Sequence, residues 1–207
     1  MSRNRTCSEF VCAGGALLLI ILPSLLPSGV VDMAVKKILL LGHPKLHEVS
    51  NEIDKSELPF IEQTVVNLHD TMMDFRDRYG AGRAIAAPQI GVMKRLIYMN
   101  IHEPVVLINP TLSAMSDEMI EFWDDCMSFP DLIVRVRRHK SCTISFRDLE
   151  WNDRALELSG DLSELIQHEY DHLDGVLAVS RAIDGQSFAL ISQMTRVNNM
   201  WVRKVER

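Results

Sequence analysis

Two histidines four residues apart lie in the segment "QHEYDH", residues 167–172. On a helix, this spacing places the imidazoles of His168 and His172 on one face, one turn apart, so that both can bind the same metal ion. Glu169 is displaced around the helix from that pair, so its carboxylate can reach a water on the ion rather than the ion itself. The pattern predicts a metal site; the plainer alternative is two surface histidines on a charged helix.

A third ligand is needed, because a catalytic metal usually takes three protein ligands plus water. The candidates include His139, Asp174 and Cys126. Cys126 follows the strand-like segment "MIEFWDD" and precedes the turn "SFP", so it can point from a strand end toward a helix. The two aspartates before it disfavour a thiolate, whereas metal coordination would stabilise one. Without the histidine pair, a buried structural thiol would be the better interpretation.

Another segment that could do chemistry, "GRAIAAPQIG", spans residues 82–91. Its small residues let the backbone approach a ligand closely, and the Gln89 amide is a neutral N–H donor. Such a donor suits the oxyanion that develops during acyl transfer. Taken alone, the segment does not identify a function.

Three segments have the apolar spacing of helices that could position these residues. The first, residues 57–80, is amphipathic and ends at a glycine. The second, residues 159–175, carries the histidine pair, and Asp161 and Glu164 can form a capping box at its start. The third is expected within residues 187–207, where Leu190, Met194, Val197, Trp201 and Val205 recur at helical spacing.

Short strand-like segments lie between the helices, at residues 95–100, 105–110, 132–138 and 143–148. The last two alternate apolar with polar residues, as half-buried antiparallel strands do, and the arginines of 132–138 are assigned to the wet face. The order predicts an α+β fold. We expect short, mostly antiparallel strands in small sheets around a central metal-binding helix, with one further helix N-terminal and one C-terminal to it.

The composition is that of one globular domain, with 47% hydrophobic and 24% charged residues in 207. A net charge of −6 gives no reason to expect specific nucleic-acid binding. Four unevenly spread cysteines do not make a disulfide framework, so a reducing compartment is the simpler assumption.

The first 32 residues differ from the rest, with two arginines before the apolar run "FVCAGGALLLIILPSLLPSGVV". They could be a signal peptide or a poor membrane anchor, but Pro23, Pro27 and Gly29 interrupt the run and no A-x-A-like cleavage site follows. We favour the interpretation that residues 1–32 are an upstream in-frame extension and that Met33 is the start. Membrane contact or export is expected only if residues 1–32 are a real targeting segment; otherwise the expected location is cytoplasmic.

Together, the chemical segments resemble the peptide deformylase family, metal-dependent amidases that remove the formyl group from the N-terminal methionine of new bacterial and organellar proteins. That family carries motifs of the forms GxGφAAPQ, EGCLS and QHExDH. Here they read "GRAIAAPQ" at 82–89, "DDCMS" at 124–128 and "QHEYDH" at 167–172. Other short segments similar to those of the family, such as "LINP", "CMSFP" and "HLDGVL", extend the resemblance over residues 33–207. The resemblance therefore implies that this range is the catalytic domain and that Met33 is its natural start.

The resemblance implies that Cys126, His168 and His172 bind the metal and that Glu169 is the general base for a metal-bound water. It implies that Gln89 holds the oxyanion with the backbone N–H of the residue after the cysteine. The implied metal is Fe²⁺, with Zn²⁺, Ni²⁺ or Co²⁺ also able to bind.

The implied substrate contacts come from Gly82, Ala84, Ile85 and Met127. The implied reaction is hydrolysis of the formyl group from N-formyl-L-methionyl peptides, with nascent chains and, as an open question, the ribosome as partners. Two alternatives stay open: a related amidase with another N-formyl substrate, and a silent relative that binds nascent chains or the ribosome. A thermolysin-like zinc peptidase fits less well, because it leaves Cys126 without a role.

Three departures from the family pattern bear on specificity. Ala84 replaces a glycine, and Asp124 and Asp125 replace Glu-Gly, where a lost glycine could mean a positive φ. Asp161 and Glu164 stand on the helix that lines the methionine pocket in related enzymes. They could narrow substrate preference, but the capping box is the preferred explanation.

Overall fold

The computed structural model describes residues 35–197 and 200–203, which form two α-helices, ten β-strands and short 3-10 turns. The predictions for residues 1–32 lie outside these described residues. The elements are α1 (Leu58–Tyr79), β1 (Ala84–Ala86), β2 (Leu96–Asn100), β3 (Pro104–Ser113), β4 (Met119–Asp125), β5 (Leu132–His139), β6 (Ser141–Arg147), β7 (Asp153–Ser159), α2 (Asp161–Leu173), β8 (Phe188–Leu190), β9 (Met194–Val197) and β10 (Met200–Arg203).

The strands form three small antiparallel sheets. One has the order β1-β2-β3-β6-β7, a second has the order β4-β5-β8, and β9 pairs with β10. Strand β1 is at the edge of the first sheet and β4 is at the edge of the second. The predicted α+β class with small antiparallel sheets is confirmed.

Helix α1 forms as its apolar spacing predicts. A proline in its first turn needs no intrahelical N–H partner, and Gly80, with φ of 65°, ends the helix in the left-handed conformation. Its buried face includes Ile61, Leu68, Met72 and Phe75, which pack against the sheet residues Ile85, Leu96 and Tyr98 in one core cluster. The helix therefore supports β1, which leads to Gln89.

Helix α2 is central, since most of its residues are buried, including all those from Ser163 to Leu173 except Tyr170. The predicted capping box is wrong. The residue before the helix is Gly160, with φ of 61° and no side-chain cap, and the carboxylate of Asp161 instead lies 3.0 Å from Nη1 of Arg83. The first turn of α2 is therefore fixed by an ion pair with the chain before β1.

The predicted C-terminal helix is also wrong. Residues 188–190 pair with β5 as β8, and residues 194–197 and 200–203 form a hairpin; Val205 lies outside the described residues. The segment is rich in β-branched and aromatic residues, and its apolar spacing also fits strands. Pairing with the edge of β5 and pairing within the hairpin favour strands over a helix in this segment. No helix in the described ranges is long and apolar enough to cross a membrane.

Candidate metal centre and active site

The end of β4 and helix α2 bring Cys126, His168 and His172 together, all buried. Sγ of Cys126 lies 3.3 Å from Nε2 of His172, and that nitrogen lies 3.2 Å from Nε2 of His168. Around a tetrahedral metal, two ligand nitrogens are about 3.3 Å apart, and a sulfur and a nitrogen about 3.6 Å apart. The three donor atoms therefore fit one divalent ion of the kind that thiolate and imidazole ligands bind.

The other two candidates for the third ligand are elsewhere. Nδ1 of His139 contacts the backbone oxygen of Ser116 at 2.7 Å, and Asp174 pairs with Arg95 at 2.7 Å. The spacing of residue types left this choice open. The position of Cys126 just after β4, with its Sγ 3.3 Å from Nε2 of His172 on α2, favours the cysteine.

The two histidines have different environments. Burial, reinforced by the charge of His168, lowers the pKa of His172 well below its ordinary value, so this imidazole is neutral, as a metal ligand must be. Burial also opposes the charged form of His168. The carboxylate of Asp124 and the sulfur of Cys126 outweigh that effect and raise the pKa of His168. Both neighbours stabilise positive charge at His168, and a bound cation would take the place of that proton.

Asp124 accounts for the ring orientation of His168. Its Oδ1 lies 2.8 Å from Nδ1 of His168, on the side of the ring opposite the Nε2 that faces the other ligands. A carboxylate in this position fixes the ring and strengthens a histidine ligand. Burial opposes ionisation of Asp124, but His168 and Arg138 hold its pKa well below the usual range.

A buried ion-pair network holds Asp124 in turn. Arg138 on β5 donates Nη2–H to Asp124 at 2.9 Å and Nη1–H to Asp171 at 2.8 Å, and Arg181 also pairs with Asp171. Assigning Arg138 to the wet face of the sheet was wrong, since this residue is 3% exposed. The signal was present in the sequence: two consecutive arginines, 137 and 138, cannot both lie on the same face of a strand.

Glu169 is buried beside the histidines, with one carboxylate oxygen, Oε2, lacking a hydrogen-bond partner among the described residues. Burial raises the pKa of Glu169 to about 7. A carboxyl with a pKa near neutrality is suited to accept and return a proton at physiological pH.

Gln89 is oriented by its own turn. Its Oε1 accepts a hydrogen bond from the backbone N–H of Ala86 at 2.9 Å, so the NH₂ group points the other way, toward Cys126 Sγ at 3.6 Å and Ser128 Oγ at 3.4 Å. A neutral donor therefore faces Cys126, one of the three candidate metal ligands.

These groups open onto a cavity of about 650 Å³. Among the predicted site residues, its lining includes Gly82, Ala84, Gln89, Cys126, Met127, His168 and Glu169. Two predicted site residues, His172 and Ile85, do not line the cavity. Both are buried, and the side chain of Ile85 lies in the core beside α1.

Two of the three departures cause no backbone strain. Neither Ala84 nor Asp125 is among the described residues with positive φ, so neither position requires glycine. Ala84 is a buried β1 residue paired with Met99 and adds its methyl group to the cavity wall.

Arg83 also lines the cavity, beside Asp161 and Glu164, and was not predicted from the sequence because it stands at a variable position of its motif.

An α+β fold with a buried cysteine facing the two histidines of an H-E-x-x-H helix is the arrangement of a metal-dependent hydrolase. A family model for polypeptide deformylase matches residues 35–187. Peptide deformylase 1 of Prochlorococcus marinus (strain MIT 9313) is 35% identical over 176 residues, which cover 78% of this chain and 88% of that relative.

Solved structures agree. A peptide deformylase from Synechococcus elongatus in complex with actinonin has a TM-score of 0.68 at 29% identity and covers 75% of this chain and 83% of its own. A Met-Ala-Ser-bound class I type b peptide deformylase from Acinetobacter baumannii has a TM-score of 0.66 at 26% identity and covers 72% of this chain and 99% of its own.

The chain belongs to the polypeptide deformylase family. It is accordingly a hydrolase of a metal-dependent family, which confirms the predictions of an enzyme and of metal binding.

Proposed function

We propose that this protein hydrolyses the formyl group from the N-terminal residue of newly made peptides, with N-formyl-L-methionyl peptides as substrates. The observation that carries the proposal is that Cys126, His168 and His172 come together as a possible metal site, and that two of them, Cys126 and His168, line one cavity with Glu169 and Gln89. The products are formate and a free amino terminus.

Each residue of the site has a defined task. Glu169 takes a proton from the attacking water, whose oxygen bonds to the formyl carbon, and then delivers that proton to the nitrogen as the C–N bond breaks. The NH₂ group of Gln89, with the backbone N–H of Met127, holds the oxygen that becomes negative in the tetrahedral intermediate. Cys126, His168 and His172 would hold the cation. When bound, it supplies Lewis acidity that polarises the formyl C=O and acidifies water.

The cavity favours an extended peptide. Strands β1 and β4 are edge strands of different sheets, and both contribute residues to the cavity lining. A peptide backbone lying between them can hydrogen bond as an added strand. The relative from Acinetobacter baumannii was solved with Met-Ala-Ser, which has the sequence of a deformylated product. Fe²⁺ is our proposed metal, nascent chains are the proposed partners and the cytoplasm is the proposed location.

The test is formate release from formyl-Met-Ala-Ser by protein purified without oxygen and analysed for metal. Glu169→Gln keeps the shape of the side chain and removes the base, so we expect kcat to fall by roughly 10²–10⁴-fold while the metal content is unchanged. Unchanged activity in this variant would contradict the mechanism. A metal-loaded wild-type protein that releases no formate would contradict the function.

A second candidate function, hydrolysis of other N-formyl compounds, is favoured by one observation. One part of the cavity wall is charged and consists of Arg83, Asp161 and Glu164. A methionine side chain cannot hydrogen bond with these charged groups, and burying them against it would cost free energy.

A further inference from the structure

Residues 35–50 precede α1 and contact, through their backbone, all three segments that carry the site. We call this stretch the brace. Most of its side chains are exposed, including Leu40 and Leu41, and within the brace only Leu46 and Ser50 are buried. Side-chain burial therefore does little to attach the brace, and its attachment depends largely on backbone hydrogen bonds.

The first part of the brace connects two segments of the site. The backbone N–H of Leu39 donates to the backbone oxygen of Gln89 at 2.8 Å. The backbone N–H of Leu41 donates to the backbone oxygen of Ser128, also at 2.8 Å. One short stretch of chain is therefore bonded both to the turn that carries the amide donor and to the turn that begins with Cys126.

The other end of the brace is fixed to the end of helix α2. The backbone N–H of Ser50 donates to the backbone oxygen of Leu173 at 2.8 Å, one residue after the second histidine. A β-carbon at Gly175, which has φ of 69°, would lie 2.6 Å from the carbonyl carbon and oxygen of His47. Because no side chain fits in that space, the brace approaches the end of α2 as closely as a glycine allows.

The residues that the brace holds are in contact with the reactive groups. The backbone N–H of Ser128 donates to Sγ of Cys126 at 3.4 Å, and Oγ of Ser128 accepts from Nε2 of Gln89 at 3.4 Å. A shift of either backbone would therefore change the position of the sulfur or of the amide. The cavity lining contains none of residues 35–50, so the brace acts on the site through these other residues.

We infer that the brace is a positioning element of the site. Its Leu39 bond holds the amide of Gln89, and its Leu41 bond holds the sulfur of Cys126, each at a fixed place relative to the two histidines. The first role rests on the proposed deformylation, because it concerns the oxyanion, whereas the second concerns metal binding alone. A misplacement of about 1 Å can cost roughly 100-fold in rate, so the loss of one such bond is measurable.

Amide-to-ester substitution in the full chain removes one backbone N–H and leaves every side chain in place. The α-hydroxy analogue of leucine at position 39 should lower kcat for formyl-Met-Ala-Ser by about 3–10-fold in metal-saturated protein, the value of one hydrogen bond. KM and metal affinity should be nearly unchanged, because the displaced group contacts the oxyanion.

The same substitution at position 41 should instead act on the metal site. We expect the dissociation constant for Co²⁺ to rise by about tenfold, because the support of the Cys126 sulfur is weakened. The absorption that arises from sulfur bonded to cobalt reports the same change at the ligand itself. The value of kcat at saturating metal should change less than in the position 39 ester.

Position 40 is the matched control. Leu40 lies between the two donors, is exposed like Leu41, and its N–H has no acceptor among the described residues. The ester at this position should leave kcat, KM and Co²⁺ affinity nearly unchanged. Effects at positions 39 and 41 no larger than those at position 40 would overturn the inference. It would also be overturned if denaturant unfolding showed lower stability while kcat and Co²⁺ affinity stayed the same, because the brace would then be merely structural.

The two measurements separate this inference from the proposed function. If the metal-loaded wild type releases no formate but the ester at position 41, unlike that at position 40, weakens Co²⁺ binding, the deformylation proposal fails and the positioning of the metal site stands. If formate is released and neither the position 39 ester nor the position 41 ester changes kcat or Co²⁺ affinity, deformylation stands and the inference about the brace fails.

Discussion

Asp124 contacts His168, one of the three proposed metal ligands, through Nδ1 of its ring. It places a negative charge two residues before the cysteine ligand, yet that charge faces His168 and Arg138. The aspartate therefore acts on the histidine ligand, and Arg138 compensates its charge. This explains how a cysteine that follows two acidic residues can belong to a metal site.

At the residue scale, Asp124→Asn should weaken metal binding by roughly 10–100-fold, because the amide supports the His168 ring less well than a carboxylate. Competition with a chromogenic chelator measures the dissociation constant directly. Asp125→Asn removes the same charge one residue away and is the control. Equal metal affinities for the two variants would contradict the role given to Asp124.

The motif residues could be predicted because the chemistry restricts the residue types. The residue types alone identify these groups: two imidazoles one helical turn apart, a thiol and an amide donor. The role of Arg83 could not be predicted, since an arginine on a loop is ordinarily solvated and its partner Asp161 lies far along the chain. For Arg138, strand alternation indicates that it or Arg137 is turned inward, but a local pattern does not identify its partners, Asp124 and Asp171.

At the element scale, Arg138 links β5 to the end of β4 and to α2, through Asp124 and Asp171. Cys126 directly follows β4, and α2 carries the two histidines of the proposed metal site. A buried charge left without its partner is strongly destabilising, so the link determines how firmly α2 is fixed to the second sheet.

Arg138→Met should therefore reduce the free energy of unfolding by about 3–5 kcal/mol, because two carboxylates lose their buried partner. Arg137→Met, one residue earlier, removes an exposed pair with Glu121 and should change it by less than about 1 kcal/mol. Denaturant unfolding of both variants measures the difference. Similar values would show that the buried network contributes no more than a surface ion pair.

Helices α1 and α2 were predictable because each has a long apolar stripe and a glycine at its end. The segment after residue 187 was not, since its spacing fits a helix and a hairpin equally well. Residues 188–190 form a strand rather than a helix because they pair with the edge of β5, and that edge exists only in the folded sheet. The predicted capping box at the start of α2 was wrong for a related reason. Arg83, which is distant in sequence, pairs with the Asp161 carboxylate that a local capping rule assigns to the first turn of the helix.

At the scale of the whole molecule, the buried acids of the cavity couple stability to pH. Burial, together with the charge of Asp124, raises the pKa of Glu164 from its ordinary 4.5 to about 8. Between these two values the folded protein keeps a proton that the unfolded chain has lost. Folding then takes up a proton, so the free energy of unfolding contributed by Glu164 falls as pH rises from 4.5 to about 8.

Glu164→Gln removes this dependence. We expect the wild type and the variant to have similar stability near pH 5, and the wild type to lose on the order of 1 kcal/mol per pH unit relative to the variant up to about pH 8. Denaturant midpoints of the metal-free proteins across this range provide the measurement. A wild-type curve parallel to that of Glu164→Gln would mean that Glu164 is already ionised in the folded protein. In that case Arg83, despite its 3.8 Å separation, would be compensating the buried charge.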